Sequence, residues 1–263
     1  MDKLGIKIMN LILVNVLYGL FAAVLGYFVG SIPTGVLVGK LFFHEDPRDK
    51  GSHNSGGTNV ARTFGKKFGV LVIALDMIKA LIPVFIIWAI GEFSPLNQYL
   101  AWSATWGNAQ VGGNKMFYWI AGLFSAIGHC WPIYIHFKGG KAVACFMGLN
   151  CLTSWLQFVC SGFSYLYIAH KSKYISLTSI IVSGIGMIVA WIVFIIQVSV
   201  PSQAFNTNVF LWNFGFGPFL EYGFEYAIMD TAITVLLIAR HKSNIERLKK
   251  HTETKNPFSK VSK

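Results

Sequence analysis

From Leu11 to Phe43 the chain carries one charged side chain, Lys40, and from Phe68 to Ile90 only Asp76 and Lys79. Runs this long reach or exceed the roughly 20 apolar residues that take a helix across a bilayer, and further apolar runs follow at 116–137, 175–198 and 224–239. In hydrocarbon every backbone amide must be satisfied within the protein, so such runs read as helices packed on one another. Composition agrees: 54% of residues are hydrophobic and 13% charged, with a mean hydropathy of +0.54, far from the balance of a soluble domain. The expectation is an all-α membrane protein forming one integral domain over residues 1–263.

The net charge of +11 does not point to nucleic acid, because the cations cluster just outside the apolar runs, where they meet anionic headgroups and set orientation. Cys130, Cys145, Cys151 and Cys160 lie in or beside apolar stretches without C-x-x-C spacing or a histidine pair, so they read as small packing residues with no metal. The first apolar run continues past signal-peptide length without a small-residue cleavage site and is expected to stay as a span.

Within the first run, Gly26, Gly30, Gly35 and Gly39 permit close helix approach, and Pro33 should kink or end the helix. A polar loop reaches to about Lys67. The second span is 68–90, an interfacial connection covers 91–115, and the third span is 116–137. Residues 142–170 would make a straight helix of roughly 43 Å, too long for one crossing, yet Lys138, Lys141, Lys171 and Lys173 flank both ends. The positive-inside tendency puts both ends on the same, cytoplasmic side, so this segment should be two short helices joined near Thr153 and Ser154. Spans at 175–198 and 224–239 follow, separated by an exterior connection at 199–223. The sum is a seven-helix transmembrane bundle with the N-terminus outside and a basic tail in the cytoplasm. Lys3 and Lys7 oppose that orientation and are outweighed by the other loops.

Three polar clusters then share one membrane face. In "KGSHNSGGTNVARTFGKKFG" at 50–69, Gly51, Gly56 and Gly57 permit tight or positive-φ turns that expose N–H groups; Ser52, Asn54, Ser55, Thr58 and Asn59 add neutral hydrogen bonds, and Arg62 can grip two phosphate oxygens. In "FKGGKAVAC" at 137–145, Gly139, Gly140 and Lys141 precede an apolar helix and can turn amides and an ammonium to one anion. The G-x-x-x-x-G-K-[ST] spacing is absent, which argues against nucleotide hydrolysis. In "RHKSNIERLKK" at 240–250, His241 and Asn244 fall on one helical face, flanked by Arg240 and Arg247. Asp76 and Lys79, also three apart, read as a mutual ion pair within a span. His44 and Asp49 satisfy H-x-x-x-x-D, the signature of another glycerolipid acyltransferase class, but Pro47 intervenes and no E-G-T-R-type motif follows; the match is treated as coincidence.

The chain resembles the acyl-phosphate:glycerol-3-phosphate acyltransferases, the PlsY-type bacterial membrane enzymes, in five ordered blocks. These are "GSIPTGVLVGK" at 30–40, "DPRDKGSHNSGGTNVARTFGKKFGVLVIALDMIKA" at 46–80, "GHCWPIYIHFKGGKAVACFMG" at 128–148, "YISLTSI" at 174–180 and "RHKSNIERLKKHTETK" at 240–255. The resemblance implies transfer of an acyl group from acyl phosphate to the 1-hydroxyl of glycerol 3-phosphate, without metal, cofactor or nucleotide, in a bacterial inner-membrane bundle whose site faces the cytoplasm. It implies catalytic roles for Ser52, Lys141, His241 and Asn244 and substrate contacts for Gly51, Asn54, Thr58, Asn59, Arg62, Gly139 and Gly140. His53, Gly57, Ala142 and Cys145 stand where the family usually has glycine, alanine, glycine and threonine; a glycine at 53 could serve a positive φ, which histidine tolerates less well. The alternative from another class is a membrane transporter or binder of phosphate esters using the same cationic cleft.

Overall fold

In the computed structural model, residues 3–100, 103–107, 109–153, 155–199 and 223–258 are described. Helix α1 (Lys3–Gly30) stops just before Pro33, and α2 (Thr34–Phe43) continues the run; the break falls where proline was expected to make it. The Ile32 carbonyl left there accepts the Lys79 ammonium at 2.7 Å. The polar segment then folds into a short helix, α3 (Gly57–Phe64), before α4 (Lys66–Phe93).

The 91–115 connection is more ordered than expected. A 3₁₀ turn at Pro95–Tyr99 leads into an antiparallel ribbon of β1 (Ser103–Trp106) and β2 (Ala109–Gly112), with Ser103 opposite Gly112. This ribbon is the departure from an all-α chain, and the Glu225 carboxylate fastens it by accepting from the Gly112 amide. Helix α5 (Asn114–Cys130) ends at Cys130 instead of Phe137, because Pro132 cannot extend the ladder; His136 and Phe137 then take φ of 56° and 59°.

Two short helices, α6 (Val143–Thr153) and α7 (Trp155–Ser172), replace one long one, as the flanking lysines predicted; Ser154 lies outside the described residues. Helices α8 (Ile175–Ser199), α9 (Phe224–Arg240) and α10 (Lys242–Lys249) complete the chain. Most of the connection at 199–223, expected to be exterior, lies outside the described residues. Apolar windows at Met9–Phe43, Lys66–Phe93 and Ile175–Ser199 are long and apolar enough to cross a bilayer. The molecule is a mostly helical integral membrane protein.

Lipid gives no hydrophobic drive for helices to associate, so close packing and interhelical hydrogen bonds must supply it. Helix α1 lies so close to α5 that a methyl group at Gly26 or Gly30 would strike the backbone of Ala121 or Ser125. Trp119, Leu149, Tyr226 and Ile233 fill the centre between α5, α6 and α9. Thr234 donates to the Ser183 carbonyl (3.2 Å), the Trp191 indole to Thr231 (2.9 Å) and Gln157 to the Gly186 carbonyl (3.3 Å), each worth about 0.6 kcal/mol in such settings. Leu13, Leu17 and Leu20 stay exposed along α1, as a lipid-facing stripe requires.

Candidate active site

One side chain organises the polar segment before α4. Asn59, on α3 and 1% exposed, donates through Nδ2 to the carbonyls of Pro47 (2.6 Å), Asn54 (2.9 Å) and Lys50 (3.1 Å). Its Oδ1 accepts from the Ser52 amide (2.7 Å) and hydroxyl (3.0 Å). Asp46 starts the segment by accepting from the Arg48 amide (2.9 Å) and clasping its guanidinium (2.7 Å); burial raises the Asp46 carboxyl, but the bonds from Arg48 outweigh it and hold it below the usual range. Asn54 Oδ1 accepts from the Gly56 amide at 2.9 Å, an Asx turn that launches α3. Val60 and Ala61 are buried, which turns Thr58 and Arg62, one helical turn apart, toward the same space.

The second cluster is a turn gripped from several sides. The Gly140 amide donates to the His129 carbonyl at 2.9 Å. Arg240, stacked over Trp131 with 5.2 Å to the ring centroid, donates to the carbonyls of Gly140 (3.2 Å) and Gly139 (3.3 Å). Asn54 also donates to Gly139, at 3.3 Å, so the first and second clusters are stitched together. The third cluster joins through Lys141, whose ammonium donates to Asn244 Oδ1 at 2.5 Å. Asn244 donates in turn to Glu253 (2.9 Å), and that carboxylate also accepts from Arg247 (2.7 Å) and Ser176 (3.1 Å).

Between these walls lies a cavity of about 90 Å³. Its polar lining includes Ser52, Thr58, Arg62, Lys141, His241 and Asn244, and its less polar lining Ile73, Val143, Met147, Tyr165 and Ile175. Burial lowers the Lys141 ammonium to about 8, with Arg247, Arg62 and Arg240 pushing the same way and Glu253 opposing. Burial likewise lowers Arg62, though guanidinium keeps its proton at any ordinary pH. Neither the Thr58 hydroxyl nor the Arg62 guanidinium makes a hydrogen bond to another described residue. His241 is 3% exposed and is pushed down to about 4 by burial and by Lys141. Its Nδ1 lies 2.8 Å from the Leu237 carbonyl; a carbonyl only accepts, so the proton sits on Nδ1 and Nε2 keeps its lone pair.

A cavity lined by both cations and apolar side chains fits a phosphate ester that carries a chain, and residues 20–251 match the protein family described as Glycerol-3-phosphate acyltransferase. The chain belongs to the glycerol-3-phosphate acyltransferase family. It is 31% identical over 251 residues to the glycerol-3-phosphate acyltransferase of Mycoplasmopsis agalactiae, covering 95% of this chain and 99% of that one. It is likewise 31% identical to that of Staphylococcus haemolyticus, over 88% of this chain and 95% of the relative. Among solved structures it is similar to the crystal structure of PlsY (YgiH), an integral membrane glycerol 3-phosphate acyltransferase, in the glycerol 3-phosphate form. That likeness has a TM-score of 0.66 and 29% identity over 90% of this chain and 94% of the other.

In this acyltransferase-family chain, Ser52, Asn54, Thr58, Asn59, Arg62, Lys141, His241 and Asn244 all line the cavity. Gly51, Gly139 and Gly140 shape the surrounding turns without lining it. Two expectations change. The Gly140 amide, expected to face an anion, is committed to the His129 carbonyl. Both ends of the Asn59 side chain are committed to the 47–54 segment, so Asn59 builds the wall more than it offers bonds to a ligand. His44 caps α2 with φ 56°, and neither it nor Asp49 lines the cavity. His53 takes a positive φ, 52°, although histidine tolerates that region less well than glycine, and Ala142 does so at 61°. Cys145 keeps a weak bond, its thiol 3.8 Å from the Asp76 carbonyl. Sequence reasoning missed Glu253, Ser176 and His129; the signal available for His129 was a titratable side chain near the end of an apolar run.

Proposed function

We propose that this protein transfers a fatty acyl group from acyl phosphate to the 1-hydroxyl of sn-glycerol 3-phosphate, giving lysophosphatidic acid and inorganic phosphate for phospholipid synthesis. The observation that carries the reading is one cavity lined both by Arg62 and Lys141 and by Val143, Met147 and Ile175. Family membership and the likeness to PlsY support the acceptor. Acyl phosphate is favoured as donor because it is a mixed anhydride with a good leaving group, and the cations Arg62 and Lys141 that line the cavity suit the phosphate that departs.

Lys141 and Arg62 neutralise phosphate, Ser52 and Asn244 align substrate oxygens, and Thr58 and Asn54 complete the wall. The acceptor's 2-hydroxyl donates to His241 Nε2, which orients the acceptor and leaves the one proton of the attacking 1-hydroxyl directed at the departing phosphate. The new ester C–O bond forms as the anhydride C–O bond breaks, and the leaving phosphate takes the hydroxyl proton. Phosphate is the better base, since the departing group carries off the charge of the broken anhydride as inorganic phosphate, whose second proton is bound at least as tightly as a phosphomonoester's, near pH 6, whereas His241 is held at about 4. Positioning and charge neutralisation then supply most of the rate.

In this reading α1, α4, α5, α6, α7, α8 and α9 are seven membrane segments of one domain in a bacterial cell membrane. The N-terminus is outside and the site and tail are cytoplasmic, supported by the lysines and arginines at 138–141, 171–173 and 240–250. Purified protein in detergent, given labelled glycerol 3-phosphate and each of acyl phosphate, acyl-CoA and acyl carrier protein, should form ester with acyl phosphate alone. Equal ester from a thioester donor, or flux in sealed vesicles without ester, sinks the reading.

A further inference from the structure

The Asp76 carboxylate gathers several elements at the edge of the cavity, which it and His129 both line. Its Oδ1 accepts from Thr34 at the start of α2 (2.5 Å), pairs with Lys79 (2.7 Å) and faces His129 Nδ1 at the end of α5 (3.3 Å). With Nδ1 turned to the carboxylate, the far edge of the imidazole lies against Gly140: a Cβ on that glycine would run into Nε2, Cε1 and Cδ2. The His129 carbonyl meanwhile holds the Gly140 amide at 2.9 Å. His129 thus grips Gly140 by ring and by main chain, while Arg240 holds its carbonyl from the other side. The next residue is Lys141.

We propose that His129, anchored by Asp76, is a positioning residue for acyl transfer, fixing the bend at Gly140 and thereby the place where the Lys141 ammonium stands. The inference rests on the reading of Lys141 as the group that holds substrate phosphate. A catalytic group misplaced by about 1 Å can cost on the order of a hundredfold in rate, and the residue before a flexible lysine is where such an error would enter. The imidazole has no need to touch substrate to act in this way.

Three variants of the full chain in detergent separate the contacts. His129→Phe keeps a ring against Gly140 and loses the N–H toward Asp76; His129→Asn keeps an N–H near the Nδ1 position and loses the far ring edge; Gly140→Ala pushes on the ring from the opposite side. Each is measured for kcat and KM with glycerol 3-phosphate, for thermal unfolding, and for the pH at which half of Lys141 reacts with an amine reagent, read by mass spectrometry. The charged and titratable groups facing Lys141, namely Arg62, Arg240, His241, Arg247 and Glu253, are unchanged in all three.

The expected result is a roughly tenfold to hundredfold fall in kcat in variants that stay folded in detergent, with melting lowered by no more than loss of a buried hydrogen bond or modest overpacking would give. Half-reaction of Lys141 should move upward from about 8 as the ammonium gains water. Folded variants with wild-type kcat, or with lost kcat and an unmoved Lys141 titration, overturn the proposal; so does failure of all three to fold, which would assign His129 to the scaffold. The Lys141 titration needs no turnover, so it decides the matter even if the proposed reaction is wrong.

Discussion

Asp76 and Lys79 sit one helical turn apart on α4 with side chains 2% and 6% exposed and 2.7 Å between Oδ1 and Nζ. Asp76→Asn keeps the shape and removes the charge, leaving the ammonium with the Ile32 carbonyl as a neutral partner. Breaking one side of a buried pair costs about 3–5 kcal/mol. For a chain of this size each kcal/mol moves the melting temperature by about 2–4 °C, so a fall of roughly 6–20 °C in detergent is expected. The double variant Asp76→Asn/Lys79→Met removes the orphaned charge and should recover about half of that loss or more. Unfolding would be followed by intrinsic fluorescence at several heating rates, since irreversible unfolding makes the midpoint rate-dependent. A double variant no more stable than the single one would refute the reasoning, because the cost would then lie in lost packing or hydrogen bonding instead of an uncompensated charge.

The remaining expectations concern the cavity. Because Lys141 is lowered to about 8, it is charged below that pH and loses its proton above it; kcat/KM should fall on the basic side near pH 8, and Lys141→Met should erase that limb while lowering kcat about a hundredfold to a thousandfold. Asn59→Ala strands the Ser52 amide and three loop carbonyls, so KM for glycerol 3-phosphate should rise and residues 47–56 should become susceptible to protease, which limited digestion would show. Ala142→Gly relieves a left-handed alanine, φ 61°, and should stabilise by about 0.5–1 kcal/mol after the entropic cost of glycine, visible as a small rise in melting temperature.

The helical framework was legible because its signals are local and redundant. Pro33 ends α1 whatever packs on it, and the lysines at both ends of 138–173 require a segment that turns back. The interior of 46–67 was harder. Gly56 and Gly57 advertise a loop, and they hide that Val60, Ala61 and Phe64 already have helical spacing, so α3 was missed. The site residues were found as types and positions, yet the partner of each could not be. Nothing in the sequence says that Asn59 faces its own loop, that Gly140 spends its amide on a residue eleven positions earlier, or that Glu253 is the acid that neutralises a cationic pocket. Such pairings depend on how distant segments stack, and that information is carried by packing and not by spacing.

Protection of Lys141 from an amine reagent bears most directly on the claim that three distant polar segments hold one phosphate ester. The account predicts that glycerol 3-phosphate and inorganic phosphate shield Lys141 while glycerol does not, with half-protection by glycerol 3-phosphate at the concentration that half-saturates turnover, and that Arg62→Ala weakens the shielding. Equal labelling of Lys141 with and without saturating glycerol 3-phosphate would contradict it.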